Sequence, residues 1–453
     1  MKPHSLLVDL YELTMAQAYF NYHRDTMATF DLFVRQLPAG RSFLLFAGLQ
    51  DVVSYIKGLR FGVGDIAFLK TQRLFTPAFL RYLKDFRFRG DVWAMPEGTV
   101  FFAGEPVIRV TSSIIEGQIL ESCLLNTVNL ATMLASKAAR VVLAAGHCGV
   151  FDFSLRRTHG QDAAIKAARS SYLAGFSGTS NVRAAQLYDI PAVGTMAHSF
   201  VMSFKSELDS FRAYSNIFPG RSILLVDTYD TKSGIKNAIQ IGKELKRRGY
   251  RLLGIRLDSG DIVCLARLAR RMLDREGLTY VKIFASGNLD EFKIARILSK
   301  SAPVDNFGVG TNMGASVDAP YLDVIYKISE VGSPRGKLLP TMKLSAGKVT
   351  FPGRKQVVRL CGKKGRYLKD VLALEKESIY GKPLLKKVIR RGSLRYRLPS
   401  LKSVRRYVRT QLARFPVSLT HVRSRYSYPV AVSRTLKRLM SQLQSHLPER
   451  SQS

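Results

Sequence analysis

The chain has 453 residues, 46% of them hydrophobic and 10% aromatic, which suits two or three folded domains and excludes disorder as the default state. Its 70 lysines and arginines outnumber 34 acidic residues, so the net charge of +36 favours anionic partners such as nucleic acid, anionic lipid or phosphorylated metabolites. The four cysteines are far apart and form no CxxC, which predicts reduced thiols rather than disulfides or a zinc site. Asp9 and Glu12 interrupt the region where a secretory leader needs an apolar run, and no membrane span is recognisable, so we expect a cytoplasmic protein.

The N-terminal third mixes helices and strands. Apolar residues recur with helical spacing over residues 6–22 and again over the long amphipathic stretch 116–143. Short apolar runs bounded by turns that contain Gly and Pro predict strands over residues 30–34, 92–95, 100–102 and 107–110. These elements predict a mixed α+β N-terminal domain over residues 1–148.

The middle of the chain alternates strands with helices. The predicted strands cover residues 150–154, 192–196, 223–227, 252–257, 281–285 and 307–309, and helices are predicted over 234–247, 261–275 and 289–298. Units of this kind predict an α/β fold with a parallel sheet, and six of them favour a closed or nearly closed (β/α) barrel. We therefore predict a (β/α) barrel domain over residues 149–331, with the active site at the carboxyl ends of its strands.

The C-terminal part returns to short strands and then becomes basic. Predicted strands at residues 343–348, 350–353 and 356–359 make residues 332–380 a β segment that returns to the N-terminal domain. Residues 381–453 carry 18 lysines and arginines and one acid, Glu449, and predict a basic helical segment broken at Pro399, Pro416 and Pro429. The segment is either a solvated surface or an anchor for nucleic acid or anionic membrane; with few interleaved aromatics, we expect no specific nucleic-acid binding.

Two glycine-rich loops follow consecutive late strands. Gly287 comes directly after the strand at 281–285, and Gly310-Thr311 follows the strand at 307–309. Glycine lets backbone N–H groups approach a phosphate closely, and the Thr311 hydroxyl adds a donor. The pair predicts a phosphate site of the kind that the last strands of a barrel build, although ordinary turn glycines would look similar.

Charged residues follow three further strands. Period 2 puts Arg256 and Asp258 on one face of a strand end, where they require partners or ligands; an internal ion pair is the alternative. Thr195 and His198 follow the strand at 192–196, where a histidine can accept a proton or a phosphoryl group, or can be purely structural. The segment 223–231 is superficially similar to the phosphoribosyl pyrophosphate loop of open-sheet phosphoribosyltransferases, but a strand end followed by an N-cap at Thr231 or Ser233 explains it as well.

Several segments, in this order and spacing along nearly the whole chain, resemble the nicotinate phosphoribosyltransferase family. They are Asp9-Leu10-Tyr11-Glu12-Leu13-Thr14-Met15, Phe153-Ser154-Leu155-Arg156-Arg157-Thr158-His159-Gly160, Gly175-Phe176-Ser177-Gly178-Thr179-Ser180-Asn181, Gly194-Thr195-Met196-Ala197-His198-Ser199-Phe200, Arg256–Asp261, Gly308–Thr311 and residues 343–359, with weaker matches at 398–401 and 428–430.

The resemblance implies a barrel of the type II phosphoribosyltransferase kind, with a mixed α+β N-terminal domain completed by C-terminal strands, in a homodimer. The reaction joins nicotinate to phosphoribosyl pyrophosphate, releasing pyrophosphate, with Mg²⁺ as cofactor and ATP as co-substrate through a phosphohistidine. His198 matches the phosphohistidine position. The other implied site residues are Tyr11, Thr195 and Arg256 for nicotinate, Arg156, Gly287, Gly310 and Thr311 for phosphoribosyl pyrophosphate, and Asp258 as a carboxylate beside the reacting sugar carbon.

Two other functions stay open on the sequence alone. The same fold can take nicotinamide or quinolinate, although quinolinate needs a further cationic clamp and nicotinamide an acidic partner for its amide. The charge could instead mark a nucleic-acid-binding protein with a decayed barrel, but such a protein would be expected to have lost some of His198, Arg256, Asp258 and Thr311, which are all present.

Overall fold

The computed structural model describes residues 5–334, 336–345 and 349–446, which form two compact units. The first unit comprises Met1–Met133, Tyr321–Thr420 and Ser424–Ser453; the second comprises Leu134–Pro320 and His421–Arg423. Neither unit is one continuous stretch of chain. The domain boundaries inferred from the sequence stay predictions.

The elements up to residue 145 are α1 (Leu10–Tyr22), β1 (Met27–Val34), β2 (Leu44–Leu45), α2 (Leu49–Gly58), α3 (Val63–Thr71), α4 (Pro77–Lys84), β3 (Asp91–Ala94), β4 (Val100–Phe101), β5 (Pro106–Ser113), α5 (Ile114–Ile119) and α6 (Glu121–Ala145). The middle of the chain forms β6 (Gly149–Asp152), α7 (Gln161–Ala174), β7 (Gly178–Thr179), α8 (Val182–Tyr188), α9 (His198–Met202), α10 (Glu207–Ile217), β8 (Ile223–Leu225), α11 (Thr231–Arg247), β9 (Gly254–Leu257), α12 (Ile262–Arg275), β10 (Lys282–Ala285), α13 (Glu291–Ser299), β11 (Asn306–Val309) and α14 (Thr311–Gly314). The last part forms β12 (Val324–Gly332), β13 (Leu339–Pro340), β14 (Lys355–Cys361), β15 (Tyr367–Leu374), β16 (Lys382–Pro383), β17 (Lys386–Arg390), β18 (Ser393–Leu394), α15 (Leu401–Leu412), α16 (Val417–Thr420), β19 (Val430–Val432) and α17 (Arg434–His446).

The first unit is built on a seven-stranded sheet in the order β13-β12-β1-β5-β3-β17-β18, which combines strands from both ends of the chain. Strand β1 is almost wholly buried and pairs antiparallel with β12 and β5, so that Phe30 lies opposite Ile328 on one side and Val110 on the other. A second sheet has the order β16-β14-β15-β19. Its core holds a buried ion pair in which Arg359 Nη2 lies 2.6 Å from Asp370 Oδ2.

The second unit has a six-stranded parallel sheet in the order β7-β6-β11-β10-β9-β8, curled as a half-barrel. The predicted α/β class is confirmed. In the described residues no pairing joins the edge strands β7 and β8, so the closed barrel is not confirmed.

Residues of α6 and α13 are joined inside this unit to the distant segment His421–Arg423. The Arg140 side chain donates to Glu291 Oε1 at 2.9 Å and to the carbonyl oxygen of Val422 at 2.9 Å. Lys137 Nζ lies 2.6 Å from the other oxygen of Glu291. This buried cluster explains why three C-terminal residues belong to the second unit.

Four predicted elements were wrong in whole or in part. Residues 192–196 form no strand but only a single bridge from Thr179 to Ala192, because Thr195 and Met196 turn away to bind a side chain; the short strand β7 was missed. The predicted strand at 350–353 is absent. Of the one predicted at 343–348, the described residues 343–345 form no strand, and residues 346–348 lie outside the described residues. Residues 386–394 form the hairpin β17–β18 instead of a helix, since Val388 and Ile389 pack as an inner strand beside β3.

The stretch Ile114–Ala145 is long and apolar enough to cross a membrane by length and composition alone. However, 72% of its most apolar window is buried inside the protein. Such burial is typical of a core helix.

Candidate active site

Four predicted or adjacent side chains meet at the carboxyl end of β9. Arg256 Nε donates to Ser286 Oγ at 2.8 Å, Nη1 to Thr195 Oγ1 at 3.0 Å, and Nη2 to Asp258 Oδ1 at 2.5 Å. Ser286 also donates to the same Asp258 oxygen. The alternative of an internal Arg–Asp ion pair is therefore realised, but the pair sits at the strand ends with the side chains of Arg256 and Asp258 15% and 29% exposed.

This arrangement determines the charge of the site. Burial raises the pKa of Asp258, but the hydrogen bond from Ser286, the charge and hydrogen bond of Arg256 and the charge of His198 outweigh it, and the pKa lies below its ordinary value. Asp258 is therefore ionised at neutral pH. One cationic fork and one carboxylate are held rigidly side by side.

Asp227, at the end of the neighbouring strand β8, supports the same loop. Its Oδ2 accepts hydrogen bonds from the backbone N–H of Asp258 at 2.8 Å and from Ser259 Oγ at 2.7 Å. Its Oδ1 is buried and has no hydrogen-bond partner in the described residues. Of the two interpretations that the sequence left open for this segment, one placed the N-cap of the next helix at Thr231 or Ser233. The N-cap of α11 is instead Asp230, which accepts from the Ser233 N–H at 2.8 Å.

His198 is the first residue of α9, and its Nδ1 lies 3.1 Å from Thr228 Oγ1. In the part of the chain that the structure describes, Nε2 makes no hydrogen bond. The side chain is half-buried. The imidazole is therefore oriented through one nitrogen while the other stays available to a ligand.

The glycines of the two loops make room for backbone and rings. A Cβ on Gly287, whose φ is +92°, would lie 1.9 Å from the carbonyl oxygen of Asp258, so no other residue fits there. A Cβ on Gly308 would lie 2.5 Å from the ring of Phe153, and one on Gly310 would lie 3.0 Å from the Phe153 carbonyl oxygen. The Phe153 ring in turn lies 5.5 Å from the guanidinium of Arg256.

The remaining predicted residues are not joined to this network. Arg156 lies in a short 3₁₀ helix, Leu155–Arg157, and is exposed, as is Thr311 at the start of α14. Tyr11 belongs to the first unit, where it lies on α1 with 48% of its side chain exposed. Burial and the nearby Glu121 raise its pKa.

Four residues of the network were not predicted as site residues: Asp227, Thr228, Ser286 and Phe153. Asp227 follows a buried apolar strand in the same way as Asp258, and Ser286 stands between a buried strand and a required glycine, so the strand-end rule could have found both. No sequence signal distinguishes Phe153 from an ordinary strand-end aromatic. Together the cluster can hold an anionic ring beside a phosphate-bearing group.

Comparison with known proteins identifies the family of this chain. Three family profiles match: the nicotinate phosphoribosyltransferase N-terminal domain at residues 6–129, the nicotinate phosphoribosyltransferase family at 148–350 and the nicotinate phosphoribosyltransferase C-terminal domain at 380–440. A nicotinate phosphoribosyltransferase (pncB2) of Mycobacterium tuberculosis is 46% identical over 432 residues, covering 95% of this chain and 91% of its own. The Bacillus subtilis nicotinate phosphoribosyltransferase is 35% identical, with 95% and 93% covered.

Solved structures give the same result. The crystal structure of human nicotinic acid phosphoribosyltransferase matches with a TM-score of 0.86 at 31% identity, covering 97% of this chain and 100% of the human chain. A nicotinate-nucleotide pyrophosphorylase from Pyrococcus furiosus matches with a TM-score of 0.72 at 27% identity, covering 90% and 95%. The resemblance inferred from the motifs is confirmed, and this chain belongs to the nicotinate phosphoribosyltransferase family.

Proposed function

We propose that this protein forms nicotinate mononucleotide and pyrophosphate from nicotinate and phosphoribosyl pyrophosphate, the first step of NAD salvage from nicotinate. The observation that carries the proposal is the cluster in which Thr195, Ser286 and Asp258 hold Arg256 next to the bare backbone of Gly287. A cationic fork beside an ionised carboxylate suits an anionic base and a sugar carbon that becomes positively charged. The names of the relatives support the same reaction.

Nicotinate is a planar anion, so its site needs a cation beside the carboxylate and a flat side chain against the ring. Arg256 Nη1, which is hydrogen-bonded to the Thr195 hydroxyl at 3.0 Å, would donate to the carboxylate from the side of the guanidinium that Ser286 and Asp258 do not occupy, with the Thr195 hydroxyl beside it. The ring of Phe153 supports one face of the pyridine. Tyr11, which the resemblance implies for nicotinate, stays a prediction.

Phosphoribosyl pyrophosphate would lie along the loops that end β10 and β11. The backbone at Gly287 and Gly310, the hydroxyl of Thr311 and the exposed guanidinium of Arg156 offer donors to its phosphates. The pyridine nitrogen forms a bond to C1 of the ribose while the C1–O bond breaks and pyrophosphate leaves with the electron pair. The ionised Asp258 stabilises the positive charge that develops on C1.

Mg²⁺ would enter this site with the pyrophosphate. No group of three acidic, histidine or cysteine side chains forms a metal cage in the described residues. Mg²⁺ is often held by only one or two carboxylates together with substrate phosphates, and Asp227, with its buried and unpartnered Oδ1, fits that role. The ion supplies neutralisation of the leaving pyrophosphate.

ATP hydrolysis is proposed to act through His198. The nitrogen left free by the Thr228 contact would attack the terminal phosphorus of ATP, so that an N–P bond forms, the P–O bond breaks and ADP leaves. Water would later cleave the N–P bond, releasing inorganic phosphate and returning His198 to its unmodified state. Phosphorylated His198 would favour the substrate-tight state of the enzyme.

A homodimer is proposed from the resemblance, and one feature of the surface supports it. Leu7, three residues before α1, and Leu10 and Tyr11 in its first turn expose 53%, 53% and 48% of their side chains. Such neighbouring exposed apolar side chains are typical of an association surface. Light scattering on the purified protein tests whether its mass is that of a dimer. The cytoplasmic location stays a prediction.

The substrate is tested by product formation from labelled nicotinate, nicotinamide or quinolinate with phosphoribosyl pyrophosphate and Mg²⁺. We expect nicotinate mononucleotide from nicotinate alone. Product from quinolinate or nicotinamide at a higher kcat/KM would reassign the substrate, and no product from any base would refute the proposed reaction.

The role of His198 is tested separately, by running the reaction with and without ATP. His198→Ala is expected to keep a slow transfer that ATP no longer stimulates. His147→Ala, at an exposed histidine before β6, is the control and should keep ATP stimulation. Stimulation that survives His198→Ala would refute the phosphohistidine.

A further inference from the structure

A second concave site lies in the first unit, in residues that the proposed reaction does not use. The cavity has a volume of about 480 Å³ and is bounded by the end of α1, by α4 and by the loop between α4 and β3. Its lining includes Arg24, Arg81, Arg87, Arg89, Phe20 and Tyr82. The four arginines come from three separate segments of the chain and converge on one space.

The lining carries more positive than negative charge, with four arginines against two acids, Asp85 and Glu116. In the described residues none of the four arginines forms an ion pair with a carboxylate. The buried acid of the lining, Glu116, accepts the backbone N–H of Arg89 at 2.8 Å through its Oε2 and partly offsets the charge of that arginine, but it forms no salt bridge with it. The other acid, Asp85, is exposed and makes no ion pair with any of the four in that part of the chain. The cavity therefore keeps an excess of positive charge.

Neighbouring cations are close enough to repel each other. Burial and the charge of Arg87 lower the pKa of Arg60, which lies next to this group. Arg87 Nη1 donates to the carbonyl oxygen of Phe86 at 2.6 Å, which holds one guanidinium in position without neutralising it. Arranging like charges in this way costs free energy that a bound anion would recover.

Two aromatic rings position the guanidinium of Arg24. The guanidinium of Arg24 lies 4.8 Å from the centre of the Phe20 ring, and that ring packs at 5.2 Å against the ring of Tyr82. Contact with an aromatic face fixes the position of a guanidinium while leaving its N–H donors free. The site is thus partly organised before any ligand arrives.

We propose that this cavity binds a small oligophosphate anion, such as an inorganic tripolyphosphate or the triphosphate of a nucleotide. Guanidiniums bind phosphate oxygens in a bidentate manner, and four of them match the three to four negative charges of a triphosphate. The volume is that of a small-molecule site, within the usual range of about 300–1,000 Å³, and the four arginine side chains that line it are exposed and so accessible to such an anion. All its residues belong to the first unit, whereas the glycine loops ending β10 and β11 belong to the second.

The test is calorimetric titration of the full-length protein with tripolyphosphate, with ATP and with AMP. The double variant Arg81→Glu/Arg87→Glu removes two cations of the cavity. Its control, Arg434→Glu/Arg438→Glu on the exposed face of α17, changes the net charge by the same amount outside the cavity. Arg81→Gln/Arg87→Gln repeats the test with a smaller change in case the charge reversal unfolds the protein.

We expect the cavity variants to lose one tripolyphosphate site per chain, or to bind there about a hundredfold more weakly, because each charge-assisted contact contributes about tenfold or more. The control should keep that site, and the nicotinate phosphoribosyltransferase rate should be unchanged in both. Binding of ATP but not of AMP would identify the phosphates as the recognised group. Equal stoichiometry and affinity in all variants, or an equal loss in the control, would overturn the proposal.

Discussion

The closest approach in the candidate site, between Gly287 and Asp258, allows a quantitative test. In Gly287→Ala the new Cβ would stand 1.9 Å from the Asp258 carbonyl oxygen, whereas real Cβ contacts are essentially never shorter than 3.0 Å. One of the two loops must therefore move by about 1 Å, a displacement that can lower kcat/KM about a hundredfold when it shifts a reacting group. Alanine at a φ of +92° adds about 1–2 kcal/mol of backbone strain to the cost of the collision.

Gly249→Ala separates the backbone strain of alanine at a positive φ from the collision with a neighbouring atom. Gly249 has a φ of +81° but no atom within 4 Å of its Cβ position, and it precedes β9 at the opposite end of the strand. This variant should lose about 1 kcal/mol of unfolding free energy and keep its activity. Gly287→Ala should lose about 2–4 kcal/mol and about a hundredfold in kcat/KM.

The assay pairs urea unfolding with initial rates of nicotinate mononucleotide formation. If Gly287→Ala keeps kcat/KM within twofold and loses no more stability than Gly249→Ala, the close packing of Gly287 does not fix the position of Asp258.

Three further predictions follow from buried or bonded charges. Burial raises the pKa of Glu12 from 4.5 to about 7, so its stabilising contribution is complete below pH 4.5 and is lost as the pH rises through 7. Glu12→Gln should therefore remove about 3 kcal/mol from the change in unfolding free energy between pH 4 and pH 8, measured by urea unfolding. An unchanged pH dependence would contradict this role of Glu12. Arg256→Lys offers one ammonium where Ser286, Thr195 and Asp258 bind three nitrogens, so KM for nicotinate should rise about a hundredfold, and an unaltered KM would remove Arg256 from the nicotinate site. Asp370→Asn should cost about 3–5 kcal/mol in chemical denaturation, because it leaves the buried guanidinium of Arg359 without its ion pair. Glu276→Gln breaks the exposed pair with Lys243 and should cost under about 1 kcal/mol; similar losses in both would show that burial does not decide the cost.

The sequence predicted the parallel sheet well because a strand that is buried on both faces forms a short run of apolar residues. Strands β6, β8, β9, β10 and β11 all lie within predicted segments or overlap them by all but one residue. The residue after such a strand is exposed at the sheet edge, so Asp258 and Gly287 could be assigned to the candidate site from their positions alone.

The failures have physical causes that local patterns do not contain. The stretch 192–196 has the composition of a strand, but Thr195 and Met196 bind Arg256, which is 61 and 60 residues away in sequence. The role of Asp227 depends on the backbone N–H of a residue in another strand. Long-range hydrogen bonds of this kind override local preference and become visible only in three dimensions.

The membership of His421–Arg423 in the second unit has a consequence for how the protein is made. Arg140 and Glu291 leave the ribosome long before Val422, whose carbonyl oxygen is a partner of that arginine. At about 5–20 residues per second, translating the roughly hundred residues between Pro320 and Arg423 takes about 5–20 s. The parallel sheet is therefore complete in sequence while one partner of its buried arginine is still missing. Nascent chains should then stay open to chaperones and proteases until synthesis is almost finished.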